Sequence, residues 1–226
     1  MIRLHGIDKS FSEGGRRREV LIQTELTVAE GEFVCICGRS GSGKSTILNI
    51  LSGIELPDAG EVRVDGQSLA SLTDLQRTLF RRKSVGFVFQ FFNLIPTLTV
   101  IENLILPLQL NKLHINDQAE TWLQKMGLED RDAAYPDTLS GGELQRLAIA
   151  RALIHEPKIV LADEPTGNLD SDTGQQVLEI LDSQCRAQGV TLVAVSHSAE
   201  VAARADRVLK LSYGQLQEPE ISEHSL

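Results

Sequence analysis

Apolar positions fall in two rhythms along the chain. Apolar runs bounded by turn residues, interrupted only by Gly86 and Thr191, occur at Phe33–Cys37, Val85–Phe89, Ile159–Ala162 and Val190–Val195. Runs of that length predict strands buried on both faces. Between them, apolar residues recur at helical spacing through Ile47–Leu51, Thr73–Arg82, Val100–Leu104, Ala119–Met126, Glu143–Leu153 and Gln175–Ser183. Looser alternation at Ile2–Leu4 and Val20–Val28 predicts two further strands, with Ser12–Arg18 as an exposed turn between them. Pro57–Gly60 reads as a turn, Glu61–Val64 as a short strand and Asp65-Gly66 as a hairpin signal. Strands alternating with helices imply an α/β fold with a mostly parallel sheet. From about Phe91 the texture turns helical, broken by Pro96, Pro107 and Pro136. The chain is therefore expected to form one domain, with residues 1–90 and 155–226 as α/β core and about 91–154 as a helical insertion.

Composition narrows the partners. The 226 residues carry a formal net charge of −9, which argues against a nucleic-acid footprint. The two tight basic runs, Arg16–Arg18 and Arg81–Lys83, read as solvated surface. Cys35 and Cys37 share one face of a strand about 7 Å apart along it, too far for an undistorted disulfide. With Cys185 they read as buried small apolar residues in a reducing compartment. Met1–Gly6 lacks the apolar core of a signal segment. Ser84–Ile101 is uncharged over 18 residues, but its Gly, Pro, Gln and Asn make it too polar and too broken to cross a bilayer.

Candidate chemistry begins at Gly38–Thr46, Gly-Arg-Ser-Gly-Ser-Gly-Lys-Ser-Thr. It fits the phosphate-loop pattern and sits between a strand and a helix, the context that gives the pattern meaning. Glycines let backbone N–H groups converge on phosphate oxygens, and the helix N-terminus adds positive potential. Lys44 brings charge to the β- and γ-phosphates, and Ser45 offers Mg²⁺ a hydroxyl. Ile159–Ala162 then ends in Asp163-Glu164, two acids at a strand C-terminus, where such sheets carry their sites. Asp163 suits Mg²⁺ and Glu164 the orientation or deprotonation of water. Leu139-Ser140-Gly141-Gly142-Glu143 opens a helix with Ser140 and Glu143 as a capping box. Two glycines there also suit a second anion site.

Leu139–Glu143 followed by Gln145-Arg146 resembles the signature of ABC-type ATPases, and the likeness covers nearly the whole chain in the family order. Phe11 falls where the family has an aromatic that stacks on adenine. Gly38, Arg39, Ser40, Gly41, Ser42, Gly43, Lys44, Ser45 and Thr46 form the Walker A loop. Gln90 resembles the Q-loop glutamine, Asp163 and Glu164 the Walker B acids, Asn168-Leu169-Asp170 the D-loop and His197 the switch histidine. The resemblance implies a P-loop NTPase fold of the ABC type, with a RecA-like core, an antiparallel β subdomain and a helical subdomain. It further implies ATP and Mg²⁺ as ligands. Glu164, His197 and Gln90 would serve hydrolysis; Ser45, Gln90 and Asp163 would hold the metal; Ser140, Gly141, Gly142, Glu143 and Asp170 would meet nucleotide held by a second copy of the chain. Three departures are Glu143, where many members have glutamine, Phe11, where tyrosine is usual, and Tyr213-Gly214, where an Asp-Gly turn is more usual.

Phe91–Val100, Glu102-Asn103 and Glu164–Asp170 are similar to the branch of lipoprotein-release, macrolide-export and cell-division ATPases. That likeness implies a head-to-tail dimer around two ATPs driving a separate transmembrane permease, on the cytoplasmic side of the inner membrane and held there only through the permease. The alternative is a soluble ABC ATPase of DNA repair or translation, a class marked by coiled-coil insertions, tandem cassettes or basic surfaces. One cassette, a short helical insert and the net −9 weigh against it.

Overall fold

The computed structural model describes residues 1–115 and 117–218, apart from the side chains of 13 and 16. The polar tail beyond Glu218 lies outside the described residues. Ten strands and seven α-helices are present among the described residues: β1 (Ile2–Glu13), β2 (Arg16–Val28), β3 (Phe33–Cys37), α1 (Lys44–Leu51), β4 (Ala59–Val64), β5 (Gln67–Ser68), α2 (Asp74–Ser84), β6 (Val85–Val88), α3 (Val100–Leu110), α4 (Gln118–Met126), α5 (Gly141–Leu153), β7 (Ile159–Asp163), α6 (Ser171–Gln188), β8 (Thr191–Val195), α7 (Ala199–Arg204), β9 (Arg207–Ser212) and β10 (Gln215–Gln217).

They form two sheets. The larger runs β10-β9-β3-β8-β7-β6, parallel except for β10. Its central strands read as continuous apolar runs because both faces are covered: β3, β7 and β8 are buried almost throughout. The smaller sheet, β2-β1-β4-β5, is antiparallel. Two hydrophobic clusters result. One gathers α1, the antiparallel sheet and one face of the parallel sheet around Leu4, Ile36, Ile47 and Val195. The other gathers the opposite face with the helical segment, around Val88, Leu104, Trp122, Leu147 and Leu178. The helices of residues 100–153 thus share a core with the sheet beneath them.

Several expectations are corrected. Ser12–Arg18 is not a loop. β1 and β2 continue as a two-stranded ribbon, pairing Phe11 with Arg18 and Ser12 with Arg17, and only Gly14-Gly15 turn. Polar side chains on both faces of that ribbon hid its strand character. α1 begins at Lys44, and α6 runs three residues or more beyond its predicted span at each end. β6 stops at Val88, short of Gln90. β9, β10 and α7 were not foreseen, although Val208, Leu209 and Leu211 give β9 a readable apolar signature. All three cysteines are free as expected, but Cys37 is only half-buried, and its sulfur lies 3.7 Å from that of Cys35.

Local chemistry explains the helix starts. Thr73, Thr99 and Ser140 each close a capping box with Gln76, Glu102 and Glu143. The irregular stretch before α3 is held by one side chain. Asn103, fully buried, accepts from Ile95 N–H (2.8 Å) and donates to the carbonyls of Ile95, Leu98 and Thr99 (3.0 Å each). Its amide supplies the hydrogen bonds that a strand or helix would otherwise provide.

Candidate functional site

The C-terminal ends of β3 and β7 and the N-terminus of α1 meet in a cleft of about 630 Å³. Its lining includes Phe11, Gly38, Ser40, Gly41, Gly43, Lys44, Ser45, Thr46, Gln90, Asp163, Glu164 and His197. Residues from five separate stretches of sequence therefore converge as expected. Arg39 and Ser42 do not line it. Ser42 Oγ is buried without a hydrogen-bond partner among the described residues, and its N–H closes the loop on Arg39 O at 3.1 Å.

Gly43 is the N-cap of α1 with φ 106°. That conformation suits glycine, and a Cβ there would stand 2.6 Å from Val20 Cγ1. This N-terminus has no side-chain cap and no acid in its first turn, so its free N–H groups and positive end of the helix dipole face the cleft. Lys44 Nζ donates to the carbonyls of Gly38 (2.8 Å) and Arg39 (3.3 Å).

Asp163 and Glu164 end β7 differently. Burial raises the Asp163 carboxyl above its usual range, opposed by a hydrogen bond from Ser45. That hydroxyl and carboxylate are hard oxygen donors of the kind Mg²⁺ takes, and no group of three or more His, Cys, Asp or Glu is clustered among the described residues. A site with one carboxylate and one hydroxyl fits an ion that keeps waters and leans on substrate phosphates. Glu164 sits at φ 46°, a region costly for a residue with a Cβ. Its N–H continues the ladder to Val195 O (2.9 Å). Its carboxylate is gripped from three sides: Ser196 Oγ donates at 2.9 Å, His197 N–H at 3.3 Å, and His197 Nδ1 lies 2.9 Å away. With Nδ1–H given to the carboxylate, Nε2 remains on a ring that is 73% exposed.

The sequence reading missed three of these contributors. Arg18, assigned to a solvated run, lines the cleft and donates to Gly41 O at 2.9 Å; Val20 packs under Gly43. Ser196 had no motif to announce it. The signal for Arg18 was its place opposite Phe11 in the β1–β2 ribbon.

Ser140, Gly141, Gly142 and Glu143 do not line this cleft. They open α5 elsewhere. Ser140 N–H and Oγ both donate to Glu143 Oε2 (2.8 and 2.7 Å), and Arg131 lies 3.4 Å from the other oxygen. Hydrogen bonds from Ser140, then the charges of Arg131 and Arg146, hold the Glu143 carboxyl below its usual range. Gly142 packs against α6, where a Cβ would stand 2.6 Å from Thr173 Cγ2. Asp170 caps α6 through Thr173 N–H (3.0 Å) and lines a neighbouring hollow that Glu164 and His197 also border.

The sequence model of the ABC transporter family matches residues 21–167. The ABC transporter ATP-binding protein Rv0986 of Mycobacterium tuberculosis is 50% identical over 219 residues, 96% of this chain and 88% of its own. The lipoprotein-releasing system ATP-binding protein LolD of Xanthomonas oryzae is 45% identical over 221 residues, 96% of this chain and 91% of its own. Among solved structures, the ATP-binding cassette MJ0796, in a dimeric post-hydrolysis state bound to ADP and Pi, superposes with TM-score 0.89 at 40% identity, covering 96% of this chain and 97% of that one.

Proposed function

The chain belongs to the ABC transporter family of ATP-binding proteins, with the P-loop NTPase fold of its ATPases, and from that premise we propose that it hydrolyses ATP as one half of a two-site dimer. The observation that carries the reading is the Glu164 carboxylate, fixed by Ser196 and His197 beside Asp163, Ser45 and Lys44. Phe11, 41% exposed at the cleft, offers a face for adenine. The phosphates lie along Gly38–Thr46, where α1 presents its uncapped N–H groups. Lys44 exchanges two loop carbonyls for phosphate oxygens. Ser45 and Asp163, with Gln90 beside them, would hold Mg²⁺, which when bound would supply charge neutralisation on the phosphates.

Glu164 accepts the proton of an attacking water or aligns it, and His197 steadies the carboxylate through Nδ1. The signature supplies what the cleft lacks: Ser140–Gly142 of a second copy, together with Glu143 and Asp170, complete the site across the interface. That MJ0796 is dimeric when bound to ADP and Pi supports the pairing of two copies. The helical segment, about residues 91–154, forms the subdomain that carries the signature and links the cassette to a membrane permease. Among the described residues no helix is long and apolar enough to cross a membrane. The cassette works peripherally, on the cytoplasmic side of the inner membrane, through that permease. Likeness to a lipoprotein-releasing ATP-binding protein favours lipid or lipoprotein extraction, export or mechanical transmission over action on nucleic acid. The relatives named above are transporter proteins, which leaves the soluble repair or translation alternative without support.

Glu164→Gln tests the assignment. The variant is expected to bind ATP as the parent does and to lose about 10²–10⁴-fold in turnover. Turnover at the parental rate rejects Glu164 as the residue that activates water.

A further inference from the structure

The segment after Gln90 is held in a conformation that Phe92 disfavours. Phe92 has φ 60° and Asn93 φ 49°, two successive non-glycine residues in the left-handed region, where a Cβ crowds the following carbonyl. Asn93 N–H turns back to Phe91 O at 2.6 Å. Such a pair persists only when its surroundings over-determine it. The two carbonyls of this pair are both held by one guanidinium. Arg151, on α5, donates from Nη1 to Asn93 O (2.7 Å) and from Nη2 to Phe92 O (2.9 Å). A planar fork matched to two adjacent carbonyls is a geometry that lysine cannot copy.

Arg151 is costly where it sits. Burial disfavours its charge, and no carboxylate among the described residues offsets that burial. The same loop is gripped at its other end, where Asn168 Nδ2 donates to Gln90 O at 2.6 Å. α5 has a further tie: Gln145 Nε2, buried, donates to Pro165 O at 2.7 Å, one residue beyond Glu164. Arg151 lies eleven residues along α5 from Ser140, about 16 Å at the helical rise. One helix therefore carries the signature residues at its N-terminus and the clamp on the Gln90 loop near its C-terminus.

We propose that Arg151 is a positioning residue that locks the Gln90–Asn93 loop to α5, so that nucleotide contact at Gln90 sets the orientation of Ser140–Gly142 toward a second copy. It touches no nucleotide. Its effect appears in the step that needs both halves of the site. The inference rests on the two-site ATPase reading above.

Arg151→Met and Arg151→Lys, made in the full chain, separate the cases. Met removes both donors, whereas Lys keeps a charge and N–H donors on a single nitrogen without the planar fork. Expected are a fall in kcat of about tenfold for Met and about threefold for Lys, with KM for ATP within about twofold of the parent. ATP affinity of the monomer, measured with each change added to Glu164→Gln, is expected to stay unchanged while ATP-driven dimerisation weakens. Amide hydrogen exchange at Phe91–Leu94 is expected to speed about tenfold, with the amides of α5 as protected as before. Unchanged kcat overturns the proposal, and so does a fall in kcat that tracks lost monomer affinity or exchange spread through α5. If the parent itself neither hydrolyses ATP nor dimerises, the ATPase reading fails; the exchange measurement still tests the clamp on its own.

Discussion

Two helices of this protein have glycines at their N-terminal ends, and they treat those ends in opposite ways. α1 has Gly43 as its N-cap, with no capping side chain and no acid in its first turn. α5 has Ser140 as its N-cap, with a complete capping box, so the Glu143 carboxylate already occupies the Ser140 hydroxyl and N–H. The first end is built to be satisfied by something from outside the chain. The second is satisfied from within and must give up part of its own hydrogen bonding before Ser140 can donate elsewhere. The glycines differ too. Gly43 is demanded by both φ 106° and the contact with Val20, whereas Gly142 is demanded by the closeness of Thr173 on α6. The contrast separates a site that binds alone from one that binds only when an interface forms.

Breaking the second end outright has the largest expected effect. Ser140→Arg puts a long cation where two copies would meet. ATP-driven dimerisation, followed by size-exclusion chromatography with the change added to Glu164→Gln, is expected to vanish while monomer ATP affinity holds. Dimerisation that survives removes α5 from the interface.

The paired glycine changes come next. Gly43→Ala forces both strain and a clash into the loop, costing about 1–3 kcal/mol; ATP affinity of the monomer is expected to fall by about tenfold or more. Gly142→Ala pushes the start of α5 away from α6 and is expected to spare monomer affinity, while lowering kcat and dimerisation. Titration calorimetry on both variants reads the difference, and equal losses of affinity erase the distinction between the two ends.

The smallest expected effect sharpens the comparison. Glu143→Gln keeps the capping geometry and removes one negative charge from the second end. Dimerisation on ATP is expected to tighten by about threefold at low salt, and the gain to shrink at about 0.5 M salt as the screening length shortens. A gain that ignores salt refers the effect to capping rather than to charge.

The local parts of this architecture are legible in the amino-acid sequence. Gly38–Thr46, Asp163-Glu164 and the Ser140–Glu143 box each lie within a few residues, so spacing alone exposes them. What escapes is long-range. Arg18 reaches Gly41 only because the β1–β2 ribbon folds it over the loop, and a run of three arginines reads as solvent-facing until that ribbon is known. Ser196 reaches Glu164 across the β7–β8 pairing that sets Asp163 opposite Val195. Arg151 finds its partners more than fifty residues upstream. β9 escapes for a different reason. Its apolar residues are readable, but Arg207 and Lys210 interrupt them, and its strand character comes from pairing with β3.

Asn103 bears on how this surface can change over time. Its one amide fixes the course of the backbone from Ile95 to Thr99, so the exposed side chains of Ile95 and Thr97 are not needed to hold it. Ile95 is 37% exposed. Substitutions there leave the path of the chain intact, and the stretch can drift to suit a new neighbour without renegotiating the fold. A change at Asn103 has no such freedom, because it unties four hydrogen bonds at once.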